Sequence, residues 1–323
     1  MNFKSIATTV AAGAIALSAV GMSTPAQAEY PNDKTVQMLV PFGAGGGTDR
    51  WARVFASSAF DVFEGGMRIQ NRGGASGTVG WKHMLDKGAD GYTVIMASPT
   101  PVLAALAEKK PPFDPGKDLK IVAYYSIMRT TLMVPKGNDY DSWDKFIAYL
   151  KAGKEKLTVG GTMTHVIGMM QALNQLGLAD KIIPVVYSGT GKAMNDYVGG
   201  HIKTVALTTS TAVTMTDKHN AIFNASALEY PKGAVKVLGD VPNAKKLGMK
   251  PYSPPRFLAM HPDTPDEQVE AMSKKMGELV TQKPIVNLIK KLGEEIMFVP
   301  RAEAEKAYQE VIQVSRDNIK LMQ

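Results

Sequence analysis

Apolar and polar positions along the chain alternate between short strand-like segments and longer stretches with helical periodicity. A segment at 37–40 predicts a strand, and apolar residues at helical spacing from 51 to 59 predict an amphipathic helix after it. Short segments at 68–70 and 93–97 predict further strands, and a second helix ends near Lys87 between them. The first hundred residues therefore predict a βαβαβ order, with loops at the strand ends where open α/β sheets bind ligands.

The middle of the chain repeats this alternation of strands and helices, which predicts a second domain. Strand-like segments at 121–125 and 131–134 flank a crossing into that domain, and the segment 235–238 is predicted to cross back. Between the crossings, the predicted strands are 157–159, 185–187 and 204–207. We therefore expect an α/β protein built from two domains of similar design.

These crossings set the expected domain boundaries. The first domain is predicted to comprise residues 29–128 and 233–323, and the second to comprise residues 129–232. A chain of this length suits two domains of ordinary size. The strand–helix alternation recurs in the second domain, but the amino-acid sequence contains no tandem repeat.

Residues 1–28 have the pattern of a secretory signal peptide. Lys4 supplies a positive charge, the Ala-rich segment 6–20 is apolar, and Ala26-Gln27-Ala28 matches a small-residue cleavage site. The apolar segment is too short for a membrane span. We therefore predict export to the periplasm with cleavage after Ala28, leaving a mature chain without another long apolar run.

Composition narrows the possible partners. The chain contains no cysteine, which excludes disulfides and a lipid-attached N-terminal cysteine. Its formal net charge of +7 favours attraction of anionic ligands, although a basic surface can also be merely solvated. No basic run is interleaved with aromatic residues, so we expect no nucleic-acid partner.

Two glycine-rich segments follow predicted strands. The first, Gly43–Gly47, comes after Val40 and Pro41 and runs into Thr48, a residue that favours a helix N-terminus. A strand, a glycine loop and a helix N-terminus in succession present backbone N–H groups to an anion. The second segment, residues 73–77, is less specific. Either segment could instead be only a tight turn.

Motifs for catalysis, metals and cofactors are missing from the sequence. The five histidines form no metal-binding H-E-x-x-H pattern, and no G-x-S-x-G nucleophile motif occurs. No lysine follows the first glycine loop as a phosphate-binding loop requires, and the dinucleotide pattern fails at Thr48. We therefore expect no catalytic residue, no metal and no cofactor, while an enzyme with a site assembled from distant residues stays an alternative.

Several motifs in order resemble those of a known family. The chain carries Val40-Pro41-Phe42 before Gly45–Asp49, then Asn71-Arg72 before Gly77, Asp90–Thr93, Phe113-Asp114-Pro115, Val186–Gly189, Gly199-Gly200, Asp240-Val241-Pro242 and Thr264-Pro265. In this order they resemble the extracytoplasmic solute receptors of tripartite tricarboxylate transporters, the Bug/TctC-type family. The resemblance covers essentially the whole mature chain.

The resemblance implies a fold and a set of ligand-binding residues. The fold is that of a periplasmic binding protein, type II-like and of the Venus-flytrap kind, with two α/β domains joined by crossing hinge strands. Family ligands are mostly small organic carboxylates, held between the domains. By this analogy the ligand-binding residues are Phe42, Ala44, Gly46, Thr48, Asp49, Ala75, Ser76, Gly77, Ser98, Thr162, Thr164, His165, Tyr187 and Gly189.

Some positions depart from the family pattern. The second glycine loop has Gly73-Gly74-Ala75-Ser76-Gly77 where the family often has Pro-Gly-Ala-Gly-Gly, and Ser188 stands where a lysine commonly follows the tyrosine. The strand near 205 ends in threonines rather than near an acidic residue. These positions lie where the rest of the ligand would be recognised, so the resemblance implies a carboxylate ligand without specifying which one.

The resemblance also implies a function. It is that of a monomeric periplasmic receptor that captures a small organic carboxylate and delivers it to the large and small membrane subunits of a tripartite tricarboxylate-type transporter. Two alternatives remain open at this point. The receptor could present its ligand to a signalling partner, or the scaffold could carry an enzyme.

Overall fold

The computed structural model describes residues 30–320, which form two mixed β-sheets with helices on their faces. The predicted signal peptide at 1–28 lies outside the described residues. Among residues 30–320, no helix combines the length and apolar character needed to cross a membrane.

The first sheet contains six strands. In spatial order they are β2 (Met67–Asn71), β1 (Val36–Val40), β3 (Thr93–Ala97), β10 (Pro255–Met260), β4 (Lys120–Ile127) and β11 (Val299–Pro300). Strand β1 pairs in parallel with β2 and β3, so that Met38 lies opposite Ile69 and Val94. Strand β10 is antiparallel to both β3 and β4. The predicted βαβαβ order of the first hundred residues is thereby confirmed.

The second sheet has five strands in an equivalent order. They are β7 (Ile182–Val186), β6 (Leu157–Gly161), β8 (Thr204–Thr208), β5 (Thr130–Pro135) and β9 (His219–Asn224). Here β6 pairs in parallel with β7 and β8, and the incoming strand β5 is antiparallel to β8 and β9. Each sheet therefore has three parallel strands and an antiparallel strand that enters from the other domain.

Helices connect the parallel strands and cover both sheets. They are α1 (Gly47–Ser57), α2 (Thr78–Lys87), α3 (Pro99–Ala107), α4 (Trp143–Ala152), α5 (Met163–Gln175), α6 (Thr190–Val198), α7 (Thr209–Ala212), α8 (Lys232–Leu238), α9 (Asp266–Val280), α10 (Lys283–Lys291) and α11 (Arg301–Ile319). Buried side chains of α1 and α9 pack on one face of the first sheet, and those of α11 pack on its other face. The second sheet has separate cores on its two faces.

The chain crosses between the sheets twice, at neighbouring points. The first crossing runs from β4 through Met128 to β5, and the second enters β10 at Pro255. The backbone N–H of Met128 donates to the Pro254 carbonyl at 2.8 Å, which holds the two crossing segments side by side. Hinge motions in two-domain binding proteins occur at a few such terminal residues.

The predicted return crossing at 235–238 is wrong. This segment forms helix α8, and its buried residues Ala234 and Leu238 pack in the second domain with Val205. The spacing of these two residues matches one helical turn, so a helix buries both while exposing Val235 and Val237. The second domain therefore extends past the predicted boundary at 232, and the chain returns to the first sheet only near Pro255.

Candidate functional site

A cavity of about 590 Å³ lies where the two domains face each other. Three loops of the first domain line it, after β1, β2 and β3, and three equivalent loops of the second domain follow β6, β7 and β8. Parallel strands present their carboxyl ends at one edge of a sheet, so each domain contributes one such edge to the cavity. Met128 and Arg256 complete the wall at the crossing segments.

The first glycine loop is held in place by a buried carboxylate beneath it. Asp49 is 1% exposed, and its Oδ2 accepts hydrogen bonds from the Gly45 backbone N–H and Arg53 Nε, both at 2.8 Å. Its Oδ1 accepts from Asn71 Nδ2 at 3.0 Å. Asp49 does not line the cavity. It acts as an internal brace that fixes the loop before any ligand arrives.

These donors also determine the ionisation of Asp49. Burial alone would raise the pKa of its carboxyl, but hydrogen bonds from Arg53, Gly45 and Asn71 outweigh burial and hold the pKa below its usual value. Asp49 is therefore ionised at neutral pH. Its charge is balanced by Arg53, so the brace adds little net negative charge next to the cavity.

The second glycine loop contacts the cavity at a different place from the one predicted. Gly73 and Gly74 line the wall, whereas Ala75, Ser76 and Gly77 do not. Ala75 and Ser76 have φ values of 41° and 54°, a left-handed conformation that is uncommon for residues other than glycine. This tight turn directs the chain into α2. In this loop, Gly73 and Gly74 are thus the residues at the cavity, and residues 75–77 lie behind them.

A row of hydroxyl groups joins the two domains at the cavity. Thr100 Oγ1 in the first domain lies 2.7 Å from Thr164 Oγ1 in the second, and it donates to Thr162 Oγ1 at 3.4 Å. Thr162 Oγ1 lies 2.8 Å from His165 Nδ1. Each hydroxyl can donate only one proton. The Thr162 hydroxyl can act as donor or acceptor in its bond with His165 Nδ1.

His165 presents an unpartnered ring nitrogen, Nε2, at the cavity. The side chain lines the cavity and is 2% exposed, and its Nε2 has no hydrogen-bond partner among the described residues. Burial, together with the charge of Arg256, lowers the pKa of His165 to about 3, so the ring is neutral at physiological pH. His165 thus offers the Nε2 atom of a neutral imidazole to a ligand in the cavity.

In the second domain, the loop after β7 and the first turn of α6 line the cavity. Gly189 is at the wall as predicted, and Lys192 and Asn195 follow it. Tyr187 is not at the wall, because its hydroxyl donates to Asp196 Oδ2 at 2.7 Å and its ring packs against the second-domain core. This tyrosine supports the loop from behind.

A buried ion pair lies at the base of the cavity. Arg256 on β10 donates through Nη1 and Nη2 to the two carboxylate oxygens of Glu294, at 3.1 Å and 3.2 Å. The two side chains are 1% and 0% exposed. The guanidinium also lies 5.5 Å from the centre of the Trp51 ring and 3.3 Å from Ser126 Oγ. This network fixes Arg256 where it lines the cavity.

The same network reaches across to the second domain at Ser210. Glu294 Oε1 accepts from the Ser210 backbone N–H at 3.2 Å, and Arg50 Nη1 donates to the Ser210 carbonyl at 2.7 Å. Both groups belong to the first domain, so they hold one residue of the second domain from two sides. A Cβ atom on Gly47 would lie 3.0 Å from Thr208 Oγ1, which shows how closely the domains approach here.

The structure thus separates the predicted site residues into two groups. Those that line the cavity are Phe42, Ala44, Gly46, Thr48, Ser98, Thr162, His165 and Gly189. Those that lie behind it are Asp49, Ala75, Ser76, Gly77, Thr164 and Tyr187. The members of the second group brace loops, turn the chain or bond across the domains.

Other lining residues were not among the named ligand-binding residues, although Gly43, Gly47, Gly73 and Gly74 belong to the two predicted glycine segments. They are Gly43, Gly47, Gly73, Gly74, Thr100, Met128, Ser188, Thr190, Gly191, Lys192, Asn195, Thr208 and Arg256. Most stand beside a predicted residue in the same loop, so the loop pattern could have found them. Arg256 had no local signal, since its position depends on how β10 pairs within the sheet.

The cavity wall is suited to an anion. Lys192 and Arg256 line it, and no aspartate or glutamate among residues 30–320 does. Helices α1, α3, α5 and α6 begin at the wall, and none of these four has a side-chain capping hydrogen bond at its N-terminus. Helix N-termini carry partial positive charge and unpaired N–H groups. Within residues 30–320, no cluster of three or more potential metal ligands was found.

A family model decides the relationship of this chain to known proteins. The model of the tripartite tricarboxylate transporter family receptor, TctC, matches residues 51–322. The chain belongs to this family. The resemblance seen in the sequence motifs is therefore confirmed.

Individual TctC-family relatives are distant. A protein of Cupriavidus necator is 31% identical over 200 residues, and BugT of Bordetella pertussis is 31% identical over 192 residues. These matches span 60% and 58% of those relatives, and 61% and 58% of this chain. A protein of Agrobacterium vitis is 27% identical over 94% of this chain and 89% of its own length.

Solved structures show the same fold. A Rhodopseudomonas palustris protein with bound adipate has a TM-score of 0.79 at 20% identity, over 91% of this chain and 98% of its own. MatC from the same organism, with bound malate, has a TM-score of 0.75 at 24% identity, over 88% and 99%. A structure described as a periplasmic transporter gives 0.78 at 23% identity, over 90% and 98%. The predicted fold of a two-domain periplasmic binding protein is confirmed.

Proposed function

We propose that this protein is a receptor that binds a small organic carboxylate in the cavity between its domains. The observation that supports this most directly is the composition of the wall, which, within the described part of the chain, combines four uncapped helix N-termini and two cationic side chains with no carboxylate. A desolvated anion needs its lost water hydrogen bonds replaced by donors. The malate and adipate bound to the two R. palustris relatives support an organic acid as the ligand.

One carboxylate of the ligand would be held by the first domain. The loop 42–48 and the residues Gly73 and Gly74 supply backbone N–H groups, and Asp49 fixes the first loop through Gly45. Little reorganisation is then needed on binding, which favours affinity. His165 would add its Nε2 atom from the second domain.

Closure of the domains would complete the binding shell. Contacts between Thr100 and Thr164, and those of Arg50 and Glu294 with Ser210, form only when the two sheet edges approach. A ligand that touches both edges favours this closed arrangement by mass action. Hinge motion would occur at Met128 and at the crossing before β10.

We further propose the cellular role that the TctC family implies. After export and cleavage behind Ala28, the monomeric receptor would act in the periplasm and deliver its ligand to the large and small membrane subunits of a tripartite transporter. It would bind the ligand without converting it. Recovery of the same molecule by mass spectrometry after prolonged incubation tests this last point, and capture of the membrane subunits rather than a signalling protein tests the delivery role.

A thermal-shift screen tests the binding function. Purified mature protein would be heated with a panel of mono-, di- and tricarboxylates, using matched sugars and amines as controls. A ligand at about 100 times its dissociation constant stabilises the folded state by about 2.7 kcal/mol, which raises the melting temperature by several degrees. Stabilisation by carboxylates alone supports the proposal. A panel in which no carboxylate shifts the melting temperature would refute it.

A further inference from the structure

Two helices on the outside of the molecule, α8 and α10, carry exposed lysines away from the cavity. Lys232 and Lys236 are exposed on α8, and Lys290 and Lys291 are exposed in the last turn of α10. None of the four lines the cavity. These four lysines are called the basic face.

The basic face is built from both domains. Helix α8 packs on the second-domain core, whereas α10 packs on the core of the first domain. The two helices lie against each other, since a Cβ atom added to Gly233 on α8 would lie 3.3 Å from the Lys290 carbonyl oxygen. A Cβ atom on Gly293, just after α10, would lie 3.2 Å from Ala234 Cβ. The lysines of α8 are therefore next to those of α10.

No carboxylate balances the charge of the basic face. Within residues 30–320, none of its four ammonium groups takes part in a hydrogen bond or an ion pair. The acidic residues beside these helices in the chain pair with other cations, namely Glu229 and Asp240 with Lys246, Glu294 with Arg256, and Glu295 with Arg129. The basic face therefore presents four uncompensated positive charges to its surroundings.

Aliphatic side chains accompany these lysines. Val235 and Val237 on α8 and Leu288 on α10 are between 36% and 47% exposed. Neither helix contains an arginine or an aromatic residue. Protein–protein interfaces are enriched in both and depleted in lysine, so this composition does not favour a protein partner. Lysines beside exposed aliphatic groups instead suit an anionic lipid surface, whose phosphates attract the ammonium groups and whose headgroup region accepts the aliphatic side chains.

We propose that the basic face, with Val235 and Leu288, binds an anionic phospholipid surface and holds the protein at the membrane. This interaction surface is separate from the cavity and goes beyond the proposed capture of a carboxylate. Each lysine close to such a surface strengthens binding about fivefold by electrostatic attraction. Salt screens that attraction, so binding depends on ionic strength.

Vesicle sedimentation tests the proposal. The mature protein would be mixed at low salt with vesicles of phosphatidylglycerol and phosphatidylcholine in equal parts, or of phosphatidylcholine alone. The wild type is expected to bind the anionic vesicles and not the neutral ones, and added salt should release it. Lys232→Met combined with Lys236→Met should weaken binding about 25-fold, and Lys290→Met combined with Lys291→Met should do the same, because each pair removes two charges.

A matched control separates the position of the lost charges from their number. Lys109→Met combined with Lys110→Met removes two exposed lysines after α3, which packs on the opposite face of the first sheet from α10. This variant should bind anionic vesicles as the wild type does. Thermal melts of all three double variants should match the wild type, since every substituted lysine is exposed, so that weaker binding reflects the lost charges rather than unfolding.

Several results would overturn the proposal. The wild type could fail to bind anionic vesicles or could bind neutral vesicles equally well. Either double variant of the basic face could bind as the wild type does, or the Lys109 and Lys110 control could lose as much binding as they do. Binding of the wild type to soluble polyglutamate, without binding to anionic vesicles, would assign the basic face to an acidic protein partner instead. None of these results bears on carboxylate binding in the cavity.

Discussion

Arg256 and Glu294 form an ion pair that is completely buried beneath the cavity, with Nη1 and Nη2 at 3.1 Å and 3.2 Å from the carboxylate oxygens. The pair connects β10 to the loop after α10, and through Glu294 it reaches Ser210 in the second domain. Burial raises the cost of leaving either charge alone. The pair therefore stabilises the base of the site only while both partners are present.

Removing one partner of this pair should be strongly destabilising. Glu294→Ala leaves the Arg256 charge buried without a counter-charge, and we expect a loss of about 3–5 kcal/mol in the free energy of unfolding. Urea denaturation measures this. The double variant Arg256→Met, Glu294→Leu should recover most of the loss, since an apolar pair removes both charges.

A surface pair provides the control for this prediction. Lys82 and Asp86 are 2.8 Å apart on α2, with both side chains largely exposed. Asp86→Ala should leave the free energy of unfolding almost unchanged. A loss in Glu294→Ala no larger than that in Asp86→Ala would show that the buried pair contributes little.

A substitution at Gly46 should change ligand binding without lowering the stability of the fold. Its φ of −72° is open to any residue, and a Cβ atom there would meet only the Gly43 carbonyl oxygen, at an ordinary 3.5 Å. Gly46 is the N-cap of α1, where aspartate and asparagine are favoured. Gly46→Asp should therefore keep or slightly raise the melting temperature while a new carboxylate in the cavity abolishes ligand binding.

Gly46→Asn is the matched variant, with the same size and the same capping ability but no charge. It should weaken carboxylate binding less than Gly46→Asp does. Calorimetry and thermal melts on the two variants check both parts. If Gly46→Asp binds carboxylates as well as the wild type, the loop 42–48 does not hold the ligand.

Arg50 should couple ligand affinity to domain closure. Its Nη1 donates to the Ser210 carbonyl at 2.7 Å across the two domains, and it does not line the cavity. Arg50→Met removes a charge-assisted hydrogen bond of the closed form, so we expect carboxylate affinity to fall about tenfold. The loss should come mainly from faster ligand dissociation, which stopped-flow fluorescence measures.

A control arginine on the same domain distinguishes this effect from a general loss of charge. Arg68→Met replaces an exposed arginine of β2, away from the cavity. Its affinity and dissociation rate should match the wild type. Identical dissociation rates in Arg50→Met and wild type would mean that the Ser210 contact does not hold the closed form.

His165 should make stability depend on pH in a defined range. Burial, with the nearby charge of Arg256, lowers its pKa to about 3, whereas an unfolded chain takes up a proton near pH 6.5. Below that pH the unfolded state binds more protons than the folded state. Stability should therefore fall as the pH drops from about 6.5, by up to about 1.4 kcal/mol per pH unit.

Denaturation at a series of pH values measures this slope. His165→Gln should flatten it above the range in which carboxyl groups titrate, and His201→Gln, which removes an exposed histidine, serves as the control. An NMR titration provides a direct check, because the His165 ring should not titrate above pH 5. A ring that takes up its proton near pH 6.5 would contradict a ring kept neutral by burial.

The sequence predicted the site best where consecutive residues of the chain form it. The first glycine loop and the helix after it are encoded in consecutive residues, and they form the wall as expected. In the second loop, Ala75 and Ser76 adopt positive φ values that glycine would normally supply, so their residue types gave no signal for this turn.

Features that depend on contacts between residues far apart in the chain could not be predicted from the sequence. The segment 235–238 has valines at alternate positions, which suggests a strand, but burial of Ala234 and Leu238 in the second-domain core decides for a helix. The position of Arg256 in the site could not be predicted for the same reason. It meets Glu294 only because β10 inserts between β3 and β4, and no local pattern encodes that pairing.

A crystal structure of the protein grown with adipate tests the central claim most directly. The account predicts one adipate between the domains, with one carboxylate within hydrogen-bond distance of backbone N–H groups in the loop 42–48 and of Gly73 or Gly74. An adipate bound outside this cavity, or one whose alkyl chain rather than its carboxylate faces the glycine loops, would contradict it.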